Sequence, residues 1–285
     1  MSKKRFTWMI FIVLLILASV RWVGGFFYSP YPKSGLEVHC IDVGQGDSTA
    51  VIGPTQVMLI DAGEPEYGDE VVRYLKELGV RRIDYAVVTH PHSDHMGGMT
   101  NVLEQLSVRC LVVNGEVSGD PVYEEMIQAA EKRKVPVKAV ACHDKLPYAD
   151  AECTVLGPVS LTDENENNRS IALHLRCGDM GFLFTGDAEE EEERDLLRTG
   201  EDLSADLLQV GHHGSKYSST PSFLKRVQPQ CAVISCGIGN SYGHPNEEAL
   251  QRLEKAGAQI YRTDLDGTVV IVTDGKQLYL KKNKK

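Results

Sequence analysis

The sequence predicts an α/β fold in which two sheets pack between two layers of helices. Short apolar runs rich in Val, Ile and Leu alternate along the chain with segments whose apolar residues recur at helical spacing. The alternation occurs in two successive halves, which suits two sheets that each carry their own helices. The chain has 285 residues, of which 42% are hydrophobic and 25% charged, as in an ordinary globular protein.

The first half is expected to begin with three consecutive strands and to continue as alternating helices and strands. Gly53 and Pro54 form a turn signal between the second and third strands. The first helix has apolar residues at helical spacing, and Gly79 ends it. The predicted strands are 36–43, 47–52, 56–60, 84–89, 109–113 and 137–141, and the predicted helices are 69–78, 96–106 and 121–134.

The second half is expected to open with three antiparallel strands and to end with alternating strands and helices. The acidic run 189–193 is expected to be a solvated helix start, because carboxylates suit the positive end of the helix dipole. The predicted strands are 153–157, 171–177, 181–186, 206–211, 231–236, 259–262 and 267–273, and the predicted helices are 188–198, 220–227 and 246–256.

A dense group of metal-binding residue types follows the apolar strand 84–89. Three histidines and one aspartate lie within six residues there: His90, His92, Asp94 and His95. Imidazole nitrogen and carboxylate oxygen are the usual ligands of a hydrolytic divalent metal. The end of a buried strand is also a common place for site residues. The spacing H-x-H-x-D-H therefore predicts a metal site.

Three other apolar strands also end in groups of the same kind. One ends at Asp61, another at Asp187, and a third at His212 and His213, each with glycine nearby to let the backbone turn. A single aspartate after a strand is more often a turn or helix cap than a ligand. Four such strand ends together favour one metal centre.

The order D, H-x-H-x-D-H, D, H resembles that of the metallo-β-lactamase fold superfamily. Five stretches are similar to the hydrolase domain of ComEC-type competence proteins: 36–48, 167–170, 185–187, 211–215 and 242–245. The resemblance covers residues 36–273. It implies a four-layer αβ/βα metallo-β-lactamase sandwich with the metal site at one edge of the two sheets, and a hydrolase that acts on phosphodiesters.

The resemblance also implies two divalent metal ions, zinc or manganese, that activate a shared water molecule. Their ligands would be His90 and His92 for the first ion, Asp94 and His95 for the second, Asp187 for both, and His213 to complete the second. Asp94 would also face the attacking water and His212 the scissile group, although the assignment between His212 and His213 stays open. Asp61 would accept a hydrogen bond from a ligand imidazole.

The chain departs from the wider superfamily just before the bridging aspartate. Many members have a further histidine there, but residues 166–170 contain none, and His174 in strand 171–177 is expected to be structural. The first ion would then have only His90, His92 and Asp187 from the protein. This favours manganese as an alternative to zinc, and a one-metal site is a second alternative.

Five further polar residues are candidates for substrate contact or catalysis. His244 would contact a phosphate or donate a proton, or else would only cap the helix that follows it. Asn168 and Ser170 would orient substrate or cap a strand turn. Asp47, in a glycine-rich turn, and Ser215, after the paired histidines, are candidate substrate contacts.

Residues 1–30 are expected to form a signal peptide or signal anchor with the start of a linker. Basic residues at 3–5 precede a mostly apolar segment at 8–20. This segment is short for a membrane-spanning helix, which needs about 20 residues. The positive flank predicts an extracytoplasmic domain at 31–285, either secreted or tethered to the membrane.

The net charge bears on the kind of substrate, and the cysteine content bears on disulfide bonding. The net charge is −10, which does not suit a tight nucleic-acid binder with a basic face, but a metal can supply positive field for an anionic substrate. There are seven cysteines and no C-x-x-C. Cys142 and Cys153 could pair in an oxidising compartment, a pairing that the sequence leaves open.

The main hypothesis is an exported or membrane-tethered metal-dependent phosphodiesterase, a nuclease acting on DNA. One alternative is a hydrolase of smaller phosphoesters such as choline-phosphate groups. Another is a non-enzymatic DNA-uptake or scaffold module, although the complete H-x-H-x-D-H argues against it. ComEC-type proteins join this domain to a many-helix channel, so a role in DNA uptake would require a separate channel partner.

Overall fold

The computed structural model describes residues 32–281. The predicted leader at 1–30 lies outside this range. Among the described residues, no helix is long and apolar enough to cross a membrane.

The described chain contains strands and helices that are numbered separately in chain order. The strands are β1 Leu36–Cys40, β2 Thr49–Ile52, β3 Val57–Ile60, β4 Arg82–Ile83, β5 Tyr85–Val87, β6 Ser107–Val108, β7 Leu111–Val113, β8 Val137–Ala139, β9 Lys145–Leu146, β10 Glu152–Gly157, β11 Ala172–Cys177, β12 Met180–Phe184, β13 Leu207–Gln209, β14 Cys231–Ile234, β15 Gln259–Arg262, β16 Val269–Thr273 and β17 Leu278–Lys281. The α-helices are α1 Gly68–Glu77, α2 Ser93–Met96, α3 Met99–Gln105, α4 Pro121–Lys132, α5 Glu190–Arg198, α6 Pro221–Val227, α7 Glu247–Lys255 and α8 Thr263–Asp266.

Two large mixed sheets form the centre of the molecule. The first has the order β17-β16-β1-β2-β3-β5-β7-β8 and the second the order β15-β14-β13-β12-β11-β10-β9. In the first sheet, β3, β5, β7 and β8 run parallel. In the second, β12 to β15 run parallel, while β10, β11 and β12 are antiparallel, as predicted. A small pair, β4 and β6, lies apart.

Apolar residues fill three layers of core. The central layer lies between the sheets, where Met58 of the first sheet and Phe182 of the second are fully buried. A second core packs α1, α3 and α4 on the outer face of the first sheet. A third packs α5, α6 and α7 on the second sheet. Because each sheet is covered on both faces, most strands are continuously apolar rather than alternating. The predicted four-layer sandwich is confirmed.

Local signals account for the helix boundaries. In α4, Pro121 occupies the first turn, and the Asp120 side chain accepts a hydrogen bond of 2.7 Å from the amide of Val122. In α1, the predicted apolar positions form the buried face. Most predicted elements match observed ones within two or three residues at each end.

Some expectations differ from the structure. The helix predicted at 96–106 is divided, since α2 ends at Met96 and α3 starts at Met99. The edge strand β17 was not predicted. The acidic run is only partly solvated: Glu192 and Glu193 are 3% exposed. All seven cysteines are free thiols, and Cys142 and Cys153 are not paired.

Candidate metal centre

The loops at one edge of the two sheets bring the predicted ligands together. The H-x-H-x-D-H run follows β5, Asp187 follows β12, and the paired histidines follow β13. These strands belong to the parallel parts of the two sheets, whose carboxyl ends commonly carry sites. Two overlapping groups of potential metal-binding atoms result, and both include Asp187.

The first group consists of His90, His92 and Asp187. The Nε2 atom of His90 lies 3.0 Å from Nδ1 of His92 and 3.9 Å from Oδ2 of Asp187. These atoms converge from two sheets onto one point. The three residues are those predicted from the sequence as protein ligands of the first ion.

The second group consists of Asp94, His95, Asp187 and His213. The Nε2 atom of His95 is 3.1 Å from Oδ1 of Asp187, and Nε2 of His213 is 3.7 Å from the same oxygen. Nε2 of His213 also lies 3.2 Å from Oδ2 of Asp94. Asp187 thus presents one oxygen to each group, which is the arrangement expected of a bridging carboxylate.

The donor set fits two divalent ions. Nε2 of His95 and Oδ1 of Asp187 are buried and, apart from the 3.1 Å contact between them, have no hydrogen-bond partner within the described chain. Buried polar atoms without a partner are rare unless a ligand satisfies them. One group offers two imidazoles and a carboxylate, and the other two imidazoles and two carboxylates, which suit zinc or manganese.

Each imidazole of these groups is held through its other nitrogen. Nδ1 of His95 lies 2.8 Å from Oδ2 of Asp61, and Nδ1 of His213 lies 3.0 Å from the backbone oxygen of Ser235. Nε2 of His92 lies 3.0 Å from Oε2 of Glu166. Such contacts fix the ring orientation and the tautomer. Asp61 therefore lies where it was expected from the sequence, behind a ligand imidazole.

The buried charges shift the pKa values strongly. Burial alone would raise the pKa of Asp187, but His95 and His213 hold it well below its usual range. Burial likewise opposes the charge on His213, but Asp187 and Asp94 raise its pKa to about 9. The pKa of His95 is also raised well above its usual value by Asp187 and Asp94, against the effect of burial. Metal binding therefore has to displace protons from these rings.

Unusual backbone geometry supports the two loops. His212 and His213 have φ values of 48° and 54°, in the left-handed region that favours glycine. Strained residues of this kind cluster at functional sites. Gly186 has φ of 51°, and a Cβ atom there would lie 2.9 Å from Cβ of Thr89 and 3.0 Å from Oγ of Ser170. Only glycine allows Asp187 to approach the loop after β5 so closely.

His212 and His244 lie beside the clusters but outside them. Nδ1 of His212 is 2.8 Å from Oε1 of Glu189, and its Nε2 is 3.7 Å from Oδ2 of Asp187. The ring of His244 is 5.3 Å from that of His212. Burial, together with His212 and His213, lowers the pKa of His244 to about 4, so the ring is neutral at pH 7.

An open cavity of about 630 Å³ leads from solvent to both groups. Several carboxylates line its wall, and no lysine or arginine of residues 32–281 does. The lining residues outside the two groups are Gln45, Glu64, Pro91, Ser93, Ser118, Asp120, Glu166, Asn167, His212, Tyr242 and His244.

Two carboxylates of the site, Glu166 and Glu189, were not predicted from the sequence. They contact His92 and His212, respectively. Glu189 follows Asp187 by two residues, in the acidic run that was expected to be solvated. The available signal for Glu166 was its position directly before the stretch 167–170.

Four of the candidate substrate contacts lie outside the cavity wall. Asp47 is 2% exposed and accepts a hydrogen bond from Nε2 of Gln209. Asn168 is 2% exposed, and its Oδ1 accepts from the amide of Glu189 at 3.0 Å.

Ser170 is fully buried, and its Oγ accepts from the amide of Asp187 at 3.1 Å and lies 3.3 Å from Nδ1 of His90. Ser215 is 2% exposed, and its Oγ accepts from the amide of Tyr217 at 3.2 Å. None of the four lines the cavity. They support the site loops instead of reaching a substrate.

Comparisons with known proteins agree with this geometry. The family model for the metallo-beta-lactamase superfamily matches residues 41–238. ComE operon protein 3 of Bacillus subtilis is 34% identical over 261 residues, covering 85% of this chain and 34% of that protein. Competence protein ComA of Neisseria gonorrhoeae is 32% identical over 242 residues, covering 84% of this chain and 32% of that protein. The chain thus spans about a third of the length of these relatives.

Among solved structures, the metallo-beta-lactamase fold protein YhfI of Bacillus subtilis matches with a TM-score of 0.56. It is 12% identical, and the match covers 87% of this chain and 100% of that one, so it shows the fold alone. Proteins of this fold are typically metal-dependent hydrolases that bind divalent ions. The chain belongs to the metallo-β-lactamase superfamily and is homologous to ComEC-type competence proteins.

Proposed function

We propose that the protein is a metal-dependent phosphodiesterase, a nuclease that acts on DNA outside the cytoplasm. The observation that carries this proposal is the pair of ligand groups that share Asp187 at the base of an open cavity. A pair of divalent ions, when bound, lowers the pKa of a shared water and stabilises the attacking and leaving oxygens. Both effects would accelerate phosphodiester hydrolysis.

The residues beside the ligand groups support separate roles in such a reaction. Asp94 has one oxygen in the second group while its side chain remains 25% exposed to the cavity, which suits a carboxylate that also orients the attacking water. Glu189 orients His212 so that its Nε2 faces Asp187 and the cavity. His244 has a neutral ring, which fits a hydrogen-bond donor to a substrate phosphate better than a charged proton donor.

DNA is favoured as the substrate because one of the relatives, ComA, is a competence protein by name. The cavity wall favours the competing hydrolase of smaller phosphoesters. Its carboxylates repel a polyanion, and no basic side chain of residues 32–281 lines it to attract one. A choline-phosphate ester, which carries a positive group, would meet a more favourable field.

Export and membrane tethering are part of the proposal and rest on the basic and apolar leader at 1–30. For a contribution to DNA uptake, a channel-forming partner is also proposed. A scaffold without activity is the remaining alternative, and two near-complete ligand groups with supporting hydrogen bonds argue against it.

The test has two stages. Protein purified without chelator should contain about two divalent ions per chain and cleave bis-nitrophenyl phosphate. Undetectable metal, together with no activity after zinc or manganese is added, would refute both enzyme proposals and favour the scaffold without activity. Turnover of single-stranded DNA is then compared with that of choline-phosphate esters, with Asp94→Ala as the inactive control. Faster turnover of the choline ester would replace the nuclease proposal.

A further inference from the structure

The ring of Tyr242, at the cavity mouth, has no role in the proposed phosphodiester hydrolysis. Tyr242 lines the cavity and is 68% exposed. Its ring stacks on that of His244, with centroids 5.8 Å apart and planes inclined by 24°. One face of the tyrosine is thereby covered, and the exposed fraction leaves the other face open to solvent.

The rings form a continuous path from solvent to the ligand groups. His244 follows Tyr242, and its ring lies 5.3 Å from that of His212 and 6.3 Å from that of His213. These spacings lie in the range of aromatic contacts. A flat group stacked on the open face of Tyr242 would therefore be held beside the place where a phosphate meets His244.

The loop that carries Tyr242 is held in one conformation. Oδ1 of Asn240 accepts hydrogen bonds from the amides of Tyr242 and His244, at 3.2 and 3.0 Å. Its Nδ2 donates to the backbone oxygens of Gly237 and His244, at 2.9 and 2.6 Å. The ring is thus presented by an ordered backbone, which reduces the entropy lost on binding.

The electrostatic character of the cavity determines what this ring can recognise. Glu64, Asp120 and Glu166 line the wall, and no lysine or arginine of the described chain accompanies them. A polynucleotide can therefore gain little affinity from protein contacts to its phosphates. Stacking on an aromatic face needs no basic side chain, and it tolerates any sequence because every base offers a π-face.

We propose that Tyr242 is a substrate-binding residue that stacks on a nucleobase next to the scissile phosphate of a single-stranded nucleic acid. This inference rests on the proposed phosphodiesterase function and extends it by a specificity determinant. The site then selects unpaired bases over duplex DNA, whose bases are stacked on each other. Binding should also depend weakly on salt, since few phosphates are neutralised by the protein.

The test measures binding of a labelled phosphorothioate oligothymidylate to the full chain loaded with manganese. Tyr242→Ala should weaken binding about tenfold, the order expected for one stacked base. Tyr242→Phe should bind within about twofold of the parent chain, because the ring is kept. Tyr217→Ala is the matched control, since Tyr217 is also an exposed tyrosine, at 57%, but does not line the cavity.

An oligonucleotide with abasic sites provides a second arm. It should bind the parent chain weakly and be insensitive to Tyr242→Ala. Equal binding of thymidylate to the parent and Tyr242→Ala chains, or no binding to either, would overturn the inference. So would an equal loss in Tyr242→Phe. A Tyr242-dependent affinity for a choline-phosphate ester, without one for oligothymidylate, would instead identify a cation–π contact and refute the nucleobase.

Binding and hydrolysis separate the two proposals. If the metal-loaded chain cleaves no phosphodiester but binds oligothymidylate through Tyr242, the proposed function fails and the stacking role stands. If phosphodiesters are cleaved while binding ignores Tyr242, only the stacking role fails.

Discussion

Replacing Asp61 by asparagine should weaken metal binding while leaving the fold intact. Asp61 is 1% exposed, and its two oxygens accept three contacts. Oδ1 accepts from the amide of Thr89 at 2.8 Å, and Oδ2 accepts from Oγ1 of Thr89 at 2.7 Å and lies 2.8 Å from Nδ1 of His95. The backbone φ of Asp61 is 59°, a left-handed value that asparagine tolerates as well as aspartate.

The expected effect follows from the tautomer of His95. A carboxylate can only accept, so it places the proton of a neutral His95 ring on Nδ1 and leaves Nε2 free for a metal. Asparagine would keep its oxygen on the Thr89 amide and turn its NH₂ group toward Nδ1. The ring would then favour a proton on Nε2, where it blocks a ligand. Loss of such an outer contact typically lowers metal affinity about 10- to 100-fold, or roughly 1.4–2.7 kcal/mol.

The assay is a competition titration of metal-free protein with zinc or manganese against a chromophoric chelator. Asp84→Asn is the matched control: Asp84 is 3% exposed and accepts from the amide of Val57 at 3.1 Å, but its side-chain contacts are with Val57, Arg82 and Arg109 and not with a residue of either ligand group. We expect Asp84→Asn to lower the melting temperature without changing metal affinity. Unchanged affinity in Asp61→Asn, or an equal loss in both variants, would refute the reasoning.

Three further predictions concern catalysis, stability and location. Asp94→Ala should remove metal and lower kcat by about 10²–10⁴-fold or more. His244→Ala should lower kcat or raise KM with unchanged metal content. The measurements are kcat and elemental analysis, and loss of metal in His244→Ala, or near-normal kcat in Asp94→Ala, would show that the roles are misassigned. Burial raises the pKa of Glu192 to about 8, so the folded state retains its proton and stability should fall as pH rises from about 5 to about 8. Glu192→Gln should remove that loss and raise the free energy of unfolding by roughly 3–5 kcal/mol at pH 8.5, as measured by denaturant unfolding. The control Glu191→Gln changes an exposed carboxylate and should leave the free energy of unfolding unchanged. A reporter that works only outside the cytoplasm, fused after the full chain, should be active; an inactive reporter with a stable fusion would contradict export.

Periodicity and strand-end chemistry explain why much of the fold and site could be predicted. The helix predicted at 121–134 is observed at Pro121–Lys132, because Asp120 and Pro121 mark its start. The candidate ligands between His90 and His95 could be singled out because three histidines and an aspartate so closely spaced after a buried strand are typical of a metal site. Polarity alone does not indicate which way a loop residue faces, so the sequence left open whether Ser170 orients substrate or caps a strand turn. In the structure its Oγ accepts a hydrogen bond from the amide of Asp187.

The acidic run illustrates a second limit. Helix-dipole reasoning treats neighbouring carboxylates alike, but α5 lies against the second sheet and turns them in different directions. Glu190 and Glu191 remain exposed, Glu192 is buried against the amide of Val159, and Glu189 reaches His212. The packing of this helix determines which carboxylates are buried and which are exposed. That packing depends on residues far along the chain, so the local sequence does not predict it.

The histidines of the centre differ in what holds the ring nitrogen that faces away from the ligand groups. In His95 and His213 it meets Asp61 or a backbone oxygen, so the ring cannot turn without losing a buried contact. The Nδ1 atom of His244 is buried and has no hydrogen-bond partner among residues 32–281. A metal ligand benefits from a fixed ring, because affinity depends on orientation. The ring of His244 is instead held by neighbouring rings, among them Tyr242, and this difference favours the proposed contact with substrate over metal ligation.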